Sequence, residues 1–275
     1  MTDNDHGGSG GLKPRPPENR GSGGLKPRPP EDTFQVVDGP EELAEAAARA
    51  AVADLEAAVE AHGSATWALT GGSTPGAAYR RLAASDLRAG VEWDRVRVVM
   101  GDERCVPVGH PDSNWGQAAA DLLDHVPVPG HHLLRPRGED GAEAAADAYQ
   151  AALAALPATP GGAPRLELVW LGVGEDGHCL SLFPGRPELE VTDRLVVPVH
   201  DSPKPPPDRI SLTLAALAGT ERLLVVAAGA AKAGPLARAR AGDDRLPLTR
   251  AVATVRSAGG SVAWLLDRAA AAASG

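Results

Sequence analysis

The feature that most constrains the fold is a short apolar segment, Leu166–Leu171, with the sequence LELVWL. Pro164 precedes it and Gly172 follows it, and both are turn-forming residue types. Its apolar residues do not alternate with polar ones, which is typical of a parallel strand covered on both faces. Similar apolar segments alternate with Ala-rich segments along the chain. The sequence therefore predicts an α/β fold, with a mostly parallel open sheet and helices on both faces in a Rossmann-like arrangement.

The other elements follow from apolar runs, turn residues and helix-start signals. We predict further strands at residues 34–37, 66–69, 96–100, 195–199, 223–227 and 262–266. We predict helices at residues 41–62, 77–84, 116–125, 139–156 and 210–217, and a further helix after Lys232.

The residues after the LELVWL strand, GVGEDGH at 172–178, combine three glycines with charged and titratable side chains. Ligands collect at the carboxyl ends of strands in open α/β sheets, so His178 is predicted to lie in a functional site. The glycines also match G-x-G-x-x-G, but that fingerprint requires a helix to open at the glycines. Pro184 and Pro187 would interrupt such a helix, which argues against dinucleotide binding.

A second glycine-rich turn, TGGSTPG at residues 70–76, joins a predicted strand to a predicted helix. Backbone N–H groups at a helix N-terminus form a ready anion site, so phosphate binding is predicted there. The turn lacks the Gly-Lys-Ser/Thr of a Walker loop, and Pro75 breaks the G-x-S-x-G pattern of a nucleophile elbow. The predicted phosphate ligands are Gly71, Gly72, Ser73 and Thr74.

Charged residues follow three other predicted strands. Asp102 and Arg104 follow the strand at residues 96–100, and Arg104 offers a planar fork for a carboxylate or phosphate. Lys204 and Arg209 are the cations of a proline-rich loop, SPKPPPDR, and Lys232 follows a glycine turn. We predict that these side chains bind an anionic substrate.

Composition limits the partners. Acidic residues number 36 against 27 basic ones, for a net charge of −9, and no basic cluster appears, so neither nucleic acid nor an anionic membrane is an expected partner. The two cysteines, Cys105 and Cys179, have no zinc-binding spacing and predict buried thiols and no metal site. No leader or membrane-spanning segment is apparent, so a cytoplasmic location is expected.

Residues 1–31 are low in complexity. The segment GSGGLKPRPPE at residues 8–18 recurs at residues 21–31. Such a Gly- and Pro-rich segment cannot bury enough apolar surface to offset the entropy of ordering, so it is predicted to be a disordered tail. Residues 32–275 are predicted to form a single catalytic α/β domain.

Five motifs in order make the chain resemble the 6-phosphogluconolactonases, within the wider fold shared with glucosamine-6-phosphate deaminases and ribose-5-phosphate isomerases. They are LTGGSTP at 69–75, GDERCVP at 101–107, HPDSN at 110–114, GVGEDGH with SLFPG at 172–185, and PKPPP with RI at 203–210. Deaminases typically follow the Gly-Asp-Gly-His core with an Asn-Glu-Pro run. Cys179 and the residues after it take that place here.

The resemblance implies hydrolysis of 6-phospho-D-glucono-1,5-lactone to 6-phosphogluconate, the second step of the oxidative pentose phosphate route, without a cofactor. In this interpretation neutral His178 accepts a proton from the attacking water, and Asp176 or Glu175 orients its ring. Arg104 contacts phosphate or sugar oxygens. Residues 71–74, Lys204 and Arg209 hold the phosphate, and Lys232 is a weaker candidate. We expect a monomer or a weak homodimer.

Two other functions remain open at this stage. An isomerase or deaminase of the same fold would act on an amino-sugar phosphate, need a base at C2 and release ammonia. A non-catalytic sugar-phosphate sensor usually carries a DNA-binding segment before this domain, and residues 1–31 contain no helix-turn-helix pattern.

Overall fold

The computed structural model describes residues 1–2 and 32–272. The predicted tail beyond Thr2, with both copies of its repeat, lies outside the described residues. Nine strands lie in the described part of the chain: β1 Thr33–Val37, β2 Ala65–Leu69, β3 Val96–Met100, β4 Asp102–Arg104, β5 Leu166–Leu171, β6 Val196–Val199, β7 Arg209–Leu212, β8 Thr220–Ala227 and β9 Ser261–Asp267. The α-helices there are α1 Pro40–His62, α2 Ser73–Ala83, α3 Ser85–Arg88, α4 Asn114–Asp121, α5 Ala142–Ala154, α6 Leu214–Leu217, α7 Ala233–Arg240, α8 Pro247–Ser257 and α9 Arg268–Ala271.

Six strands form a parallel sheet in the spatial order β1-β9-β8-β5-β2-β3. All six residues of β5 are buried, as a strand covered on both faces should be. Along β5, Leu168 and Trp170 pack on the side of α1, α2 and α4, whereas Val169 and Leu171 pack on the side of α5, α7 and α8. The prediction of a mostly parallel open sheet with helices on both faces is confirmed.

Local chemistry explains the first helix. Pro40 stands at the start of α1, where a proline needs no N–H partner, and Glu41 and Glu42 place negative charge in the first turn. Gly63 ends the helix with φ 75°, a left-handed conformation that glycine adopts without strain. Eight buried residues along α1, all Ala, Leu or Val, pack it onto the sheet.

A second, three-stranded antiparallel sheet, in the order β4-β7-β6, was not predicted. Its β7 corrects the expected helix at residues 210–217, because only Leu214–Leu217 is helical. The Thr213 side chain accepts a hydrogen bond from the N–H of Ala216 and caps that short helix, so the helix begins only after the strand. Similarly, α2 begins at Ser73 and not at residue 77, which places the glycine turn directly on the helix N-terminus.

The sheet topology determines where a site can form. From β2 the chain crosses to β3 on one side, whereas from β5 it crosses to β8 on the other side. The loops after the adjacent strands β2 and β5 therefore diverge and leave a crevice at their carboxyl ends. The loop after β3 leads into β4 and the small sheet, which closes one wall of this crevice.

Candidate active site

A polar cleft with a cavity volume of about 120 Å³ lies in this crevice. Its walls come from the loops after β2 and β5, from β4 and from the starts of α4 and β7. It is lined by Thr70, Gly71, Asp102, Arg104, Asn114, Gly172, Val173, Gly174, His178, Leu180 and Arg209. Five of the residues predicted from the sequence are among them, namely Gly71, Asp102, Arg104, His178 and Arg209.

His178 is held by Asp176. The His178 Nδ1 lies 2.5 Å from Asp176 Oδ1, and the His178 backbone N–H donates to the same oxygen at 3.3 Å. Because an ionised carboxylate only accepts hydrogen bonds, Nδ1 carries the ring proton, and Nε2 is left with a free lone pair. Glu175, the alternative partner for the ring, is exposed.

Two glycines make this geometry possible. A Cβ at Gly174 would lie 2.0 Å from His178 Nδ1 and 2.6 Å from Asp176 Oδ1, so the histidine packs where any other residue would have its side chain. Gly177 has φ 85°, which turns the chain back so that the Gly174 N–H donates to the His178 carbonyl at 2.8 Å. These glycines therefore form a tight turn around the His178 ring and do not form a nucleotide-binding loop.

Burial lowers the pKa of His178 below its ordinary value of 6.5, and the adjacent Asp176 carboxylate opposes that shift. The charge of Lys204 lowers the pKa of His178 further. Burial also pushes the pKa of Asp176 upward, but the hydrogen bond and charge of His178 outweigh it, so the pKa of Asp176 falls below 3.8. At neutral pH this pair is a neutral imidazole beside a carboxylate, the state in which histidine acts as a base.

Another part of the cleft wall is a buried polar network around Asp102, which is 7% exposed. Its Oδ2 accepts from Ser181 Oγ at 2.7 Å, and its Oδ1 accepts from Asn114 Nδ2 at 3.3 Å. Asn114 Nδ2 also donates to the Asp102 carbonyl at 2.9 Å. Ser181 and Asn114 were not predicted as site residues. Their sequence signal is that Ser181 begins the SLFPG motif and Asn114 ends the HPDSN motif.

Glu103, one residue along β4, turns away from the cleft and caps α4. Its carboxylate accepts from Ser113 Oγ at 3.0 Å and from the backbone N–H groups of Asn114 and Trp115 at 2.7 Å. It also accepts from the N–H of Arg104 at 2.7 Å. Burial raises the pKa of Glu103. Its four donors fix the start of α4 against β4 and so position Asn114 beside the cleft.

Both arginines that line the cleft donate hydrogen bonds from their guanidinium groups to main-chain carbonyls. Arg104 Nη1 donates to the carbonyl of Asp112 at 2.7 Å. Arg209 is buried and donates from Nε to Pro206 O at 3.0 Å and from Nη2 to Lys204 O at 2.9 Å. Burial lowers the pKa of Arg209. Arg209 therefore holds the proline-rich loop in addition to lining the cleft.

The remaining predicted binding residues are not among those that line the cleft. Gly72, Ser73 and Thr74 form the N-terminal turn of α2, where no side chain accepts a capping hydrogen bond. The Gly72 N–H faces Gln117 Oε1 at 3.4 Å. Lys204 is half-buried in the loop that Arg209 holds. Lys232 lies at the end of the turn that follows β8.

Three further observations concern the described residues. In that part of the chain, no group of three or more His, Cys, Asp and Glu side chains has an arrangement that could hold a metal ion. None of the helices found among the described residues is long and apolar enough to cross a membrane. Cys179 is buried, as predicted, whereas Cys105 is only half-buried, and both are free thiols.

Known proteins are similar to this chain in sequence and in fold. A 6-phosphogluconolactonase from Streptomyces coelicolor is 39% identical over 249 residues, which cover 87% of this chain and 94% of the relative. One from Mycobacterium tuberculosis is 38% identical over 245 residues, which cover 87% and 97%. Among solved structures, the Trypanosoma brucei 6-phosphogluconolactonase superposes with a TM-score of 0.77 at 30% identity, covering 88% of this chain and 98% of that one.

A monomeric glucosamine-6-phosphate deaminase superposes with a TM-score of 0.70 at 19% identity, a likeness of fold alone. The family described as "Glucosamine-6-phosphate isomerases/6-phosphogluconolactonase" matches residues 38–264. Because this match spans most of the chain, the protein belongs to the family of glucosamine-6-phosphate isomerases and 6-phosphogluconolactonases.

Proposed function

We propose that this protein hydrolyses 6-phospho-D-glucono-1,5-lactone to 6-phosphogluconate, the second step of the oxidative pentose phosphate route, with His178 as the general base. The observation that carries the proposal is the Asp176–His178 pair, whose neutral imidazole lines a polar cleft that also contains Gly71, at the turn before helix α2. The relatives named 6-phosphogluconolactonase support this choice within the family.

A lactone is an activated ester, so a water molecule and a base suffice to open it. The water oxygen attacks C1 while His178 Nε2 takes its proton, and Asp176 stabilises the imidazolium that forms. The bond between C1 and the ring oxygen then breaks. His178 returns the proton to the departing ring oxygen, which becomes the C5 hydroxyl, and C1 becomes a carboxylic acid that ionises.

The phosphate is assigned to the turn at residues 71–74, because the N–H groups at the start of the 11-residue helix α2 favour an anion. Lys204 supplies positive charge near His178, as its effect on the pKa of His178 indicates. We assign Arg209 to two tasks, holding the Lys204 loop and adding positive potential to the cleft. Arg104 meets phosphate or sugar oxygens, and Lys232 remains a candidate for the phosphate.

The test is a comparison of two substrates with the purified wild-type protein. The lactone is generated in situ with glucose-6-phosphate dehydrogenase, and formation of 6-phosphogluconate is followed against the spontaneous rate. Glucosamine 6-phosphate is assayed in parallel for ammonia release. We expect acceleration with the lactone and no ammonia. Ammonia release without lactonase activity would refute the proposal in favour of a deaminase, and activity with neither substrate would favour a binding protein.

A further inference from the structure

Asn114 presents an acceptor that the fold leaves unused. This residue begins α4, lines the cleft and is only 2% exposed. Its Nδ2 donates to the carbonyl and to the carboxylate of Asp102. Its Oδ1 is buried and has no hydrogen-bond partner among the described residues.

The orientation of this amide follows from its neighbours. If the amide were rotated by half a turn, Oδ1 would face the two Asp102 oxygens, and acceptor would meet acceptor. The backbone is fixed as well, since the Asn114 N–H donates to Glu103 Oε1 at 2.7 Å. Oδ1 therefore must point away from Asp102.

Gly71 shows where Oδ1 lies. A Cβ built on Gly71 would be 1.8 Å from Asn114 Oδ1, so this oxygen takes up the space that a side chain at position 71 would need. A glycine is therefore required at position 71 because of this close approach. The oxygen is in contact with the first residue of the predicted phosphate turn.

A buried acceptor without a partner destabilises a fold, so one kept beside a cleft calls for a hydrogen-bond donor from outside the chain. Asn114 Oδ1 and the neighbouring Asp102 carboxylate make this wall rich in acceptors. The negative charge of Asp102 disfavours a phosphate dianion directly against this wall, whereas the hydroxyl groups of a sugar can donate to it. The sugar ring is therefore expected against Asn114 and Asp102, with the phosphate on the N–H groups of the turn at residues 71–74.

We propose that Asn114 Oδ1 accepts a hydrogen bond from a ring hydroxyl of the lactone and makes the site selective for the hydroxylated ring. This inference rests on the function proposed above. Because Oδ1 contacts Gly71 at the phosphate turn, its donor is the C4 hydroxyl, the ring hydroxyl nearest to the phosphate-bearing C6. Asn114 is thus a specificity-determining residue.

The test couples a substitution in the protein with a deletion in the substrate. The kcat/KM values are measured for 6-phosphogluconolactone and for its 2-deoxy, 3-deoxy and 4-deoxy analogues, with wild type, Asn114→Ala and Ser181→Ala. Asn114→Ala retains the backbone N–H that Glu103 binds. Ser181→Ala is the matched control, because it removes a different hydrogen bond to Asp102 and leaves Asn114 Oδ1 in place. Thermal unfolding checks that each variant is folded.

In wild type, we expect the 4-deoxy lactone to react with a kcat/KM about tenfold lower than the full lactone, the loss for one hydrogen bond to a buried acceptor. Asn114→Ala should reduce that discrimination to about twofold or less, whereas Ser181→Ala should keep it. If Asn114→Ala instead loses the discrimination against the 2-deoxy or 3-deoxy lactone, the result supports Asn114 Oδ1 as an acceptor for that hydroxyl. It would refute the assignment to the C4 hydroxyl.

An active wild type whose discrimination is the same in Asn114→Ala for all three analogues would overturn the inference and leave the lactonase proposal intact. If the Asn114→Ala protein is unfolded, Asn114→Ser replaces it, and the same loss of discrimination is required. A wild type that does not accelerate lactone hydrolysis would overturn both the proposed function and this inference.

Discussion

Replacing Asp176 by Asn should slow lactone hydrolysis about a hundredfold, within the range for an impaired general base, and should move the acid limb of the pH profile to lower pH. Asn keeps nearly the same shape but lacks the charge that the His178 ring faces at 2.5 Å. Its amide can also donate to Nδ1, which stabilises the tautomer that carries its proton on Nε2. In the molecules with that tautomer, the proton on Nε2 prevents His178 from acting as the base.

The magnitude follows from two contributions. A hydrogen bond to a charged group is worth about 1.5–3 kcal/mol, and the low end applies because the Asp176 side chain is 38% exposed and screened by water. A loss of about 1.4 kcal/mol is a tenfold change in rate. Loss of the productive tautomer is expected to contribute a further factor of about ten, which brings the total to about a hundredfold.

The direction of the pH shift follows from the causes of the pKa. Burial lowers the pKa of His178, and Asp176 raises it, so removing the carboxylate lowers the pKa further. The acid limb, where protonation of His178 abolishes activity, should therefore begin at a lower pH. The assay mixes fresh lactone with enzyme from mildly acidic to neutral pH, traps the residual lactone with hydroxylamine at timed intervals, and subtracts the uncatalysed rate.

Glu175→Gln is the control, because it removes an adjacent exposed carboxylate that lies outside the site. It should change kcat by less than about twofold, as expected for a solvated charge. An Asp176→Asn protein with wild-type kcat, or with an acid limb shifted to higher pH, would refute the assignment of Asp176 as the partner of a His178 base.

Gly71→Ala should lower kcat/KM about tenfold or more and the free energy of unfolding by about 1–3 kcal/mol, because its Cβ would clash with Asn114 Oδ1; steady-state kinetics and urea unfolding measure the two. Glu103→Ala should lower the free energy of unfolding by about 3 kcal/mol, because buried donors at the start of α4 lose their acceptor; urea unfolding measures it. Lys204→Ala should raise KM with little change in kcat and move the acid limb to higher pH, because its charge helps to lower the pKa of His178; kinetics across pH measure both.

Each of these three predictions can be contradicted by a stated outcome, and the first has a control variant. Gly109→Ala matches the first, since nothing lies within 4 Å of a Cβ at Gly109. Equal behaviour of the two glycine variants would contradict the close contact at Gly71. Unchanged stability on removal of Glu103 would show that its hydrogen bonds do not stabilise the helix start. An unchanged KM and an unshifted acid limb would remove Lys204 from the site.

The main sheet could be predicted because its strands are short, apolar and bounded by turn residues. Leu166–Leu171 and Val96–Met100 were predicted with the bounds that the structure gives them. The small sheet could not be predicted, because β4 is only three residues long and has the sequence DER. Its strand character comes from pairing with β7 and not from local propensity.

The candidate site was likewise predictable from the sequence only in part. His178 stands out in sequence because glycines and acidic residues surround it at the end of a strand. The importance of Asn114 depends on contacts with Asp102, Glu103 and Gly71, which are brought together only by the fold. For the same reason, the sequence did not indicate that Arg209 donates to carbonyls of its own loop.

The most direct test of the central claim is the rate constant for lactone hydrolysis by His178→Ala, compared with wild type and with His131→Ala, in which an exposed histidine is removed. The account predicts that the enzymatic acceleration falls on the order of a hundredfold or more in His178→Ala and is retained in His131→Ala. A His178→Ala protein that keeps wild-type acceleration would contradict His178 as the base.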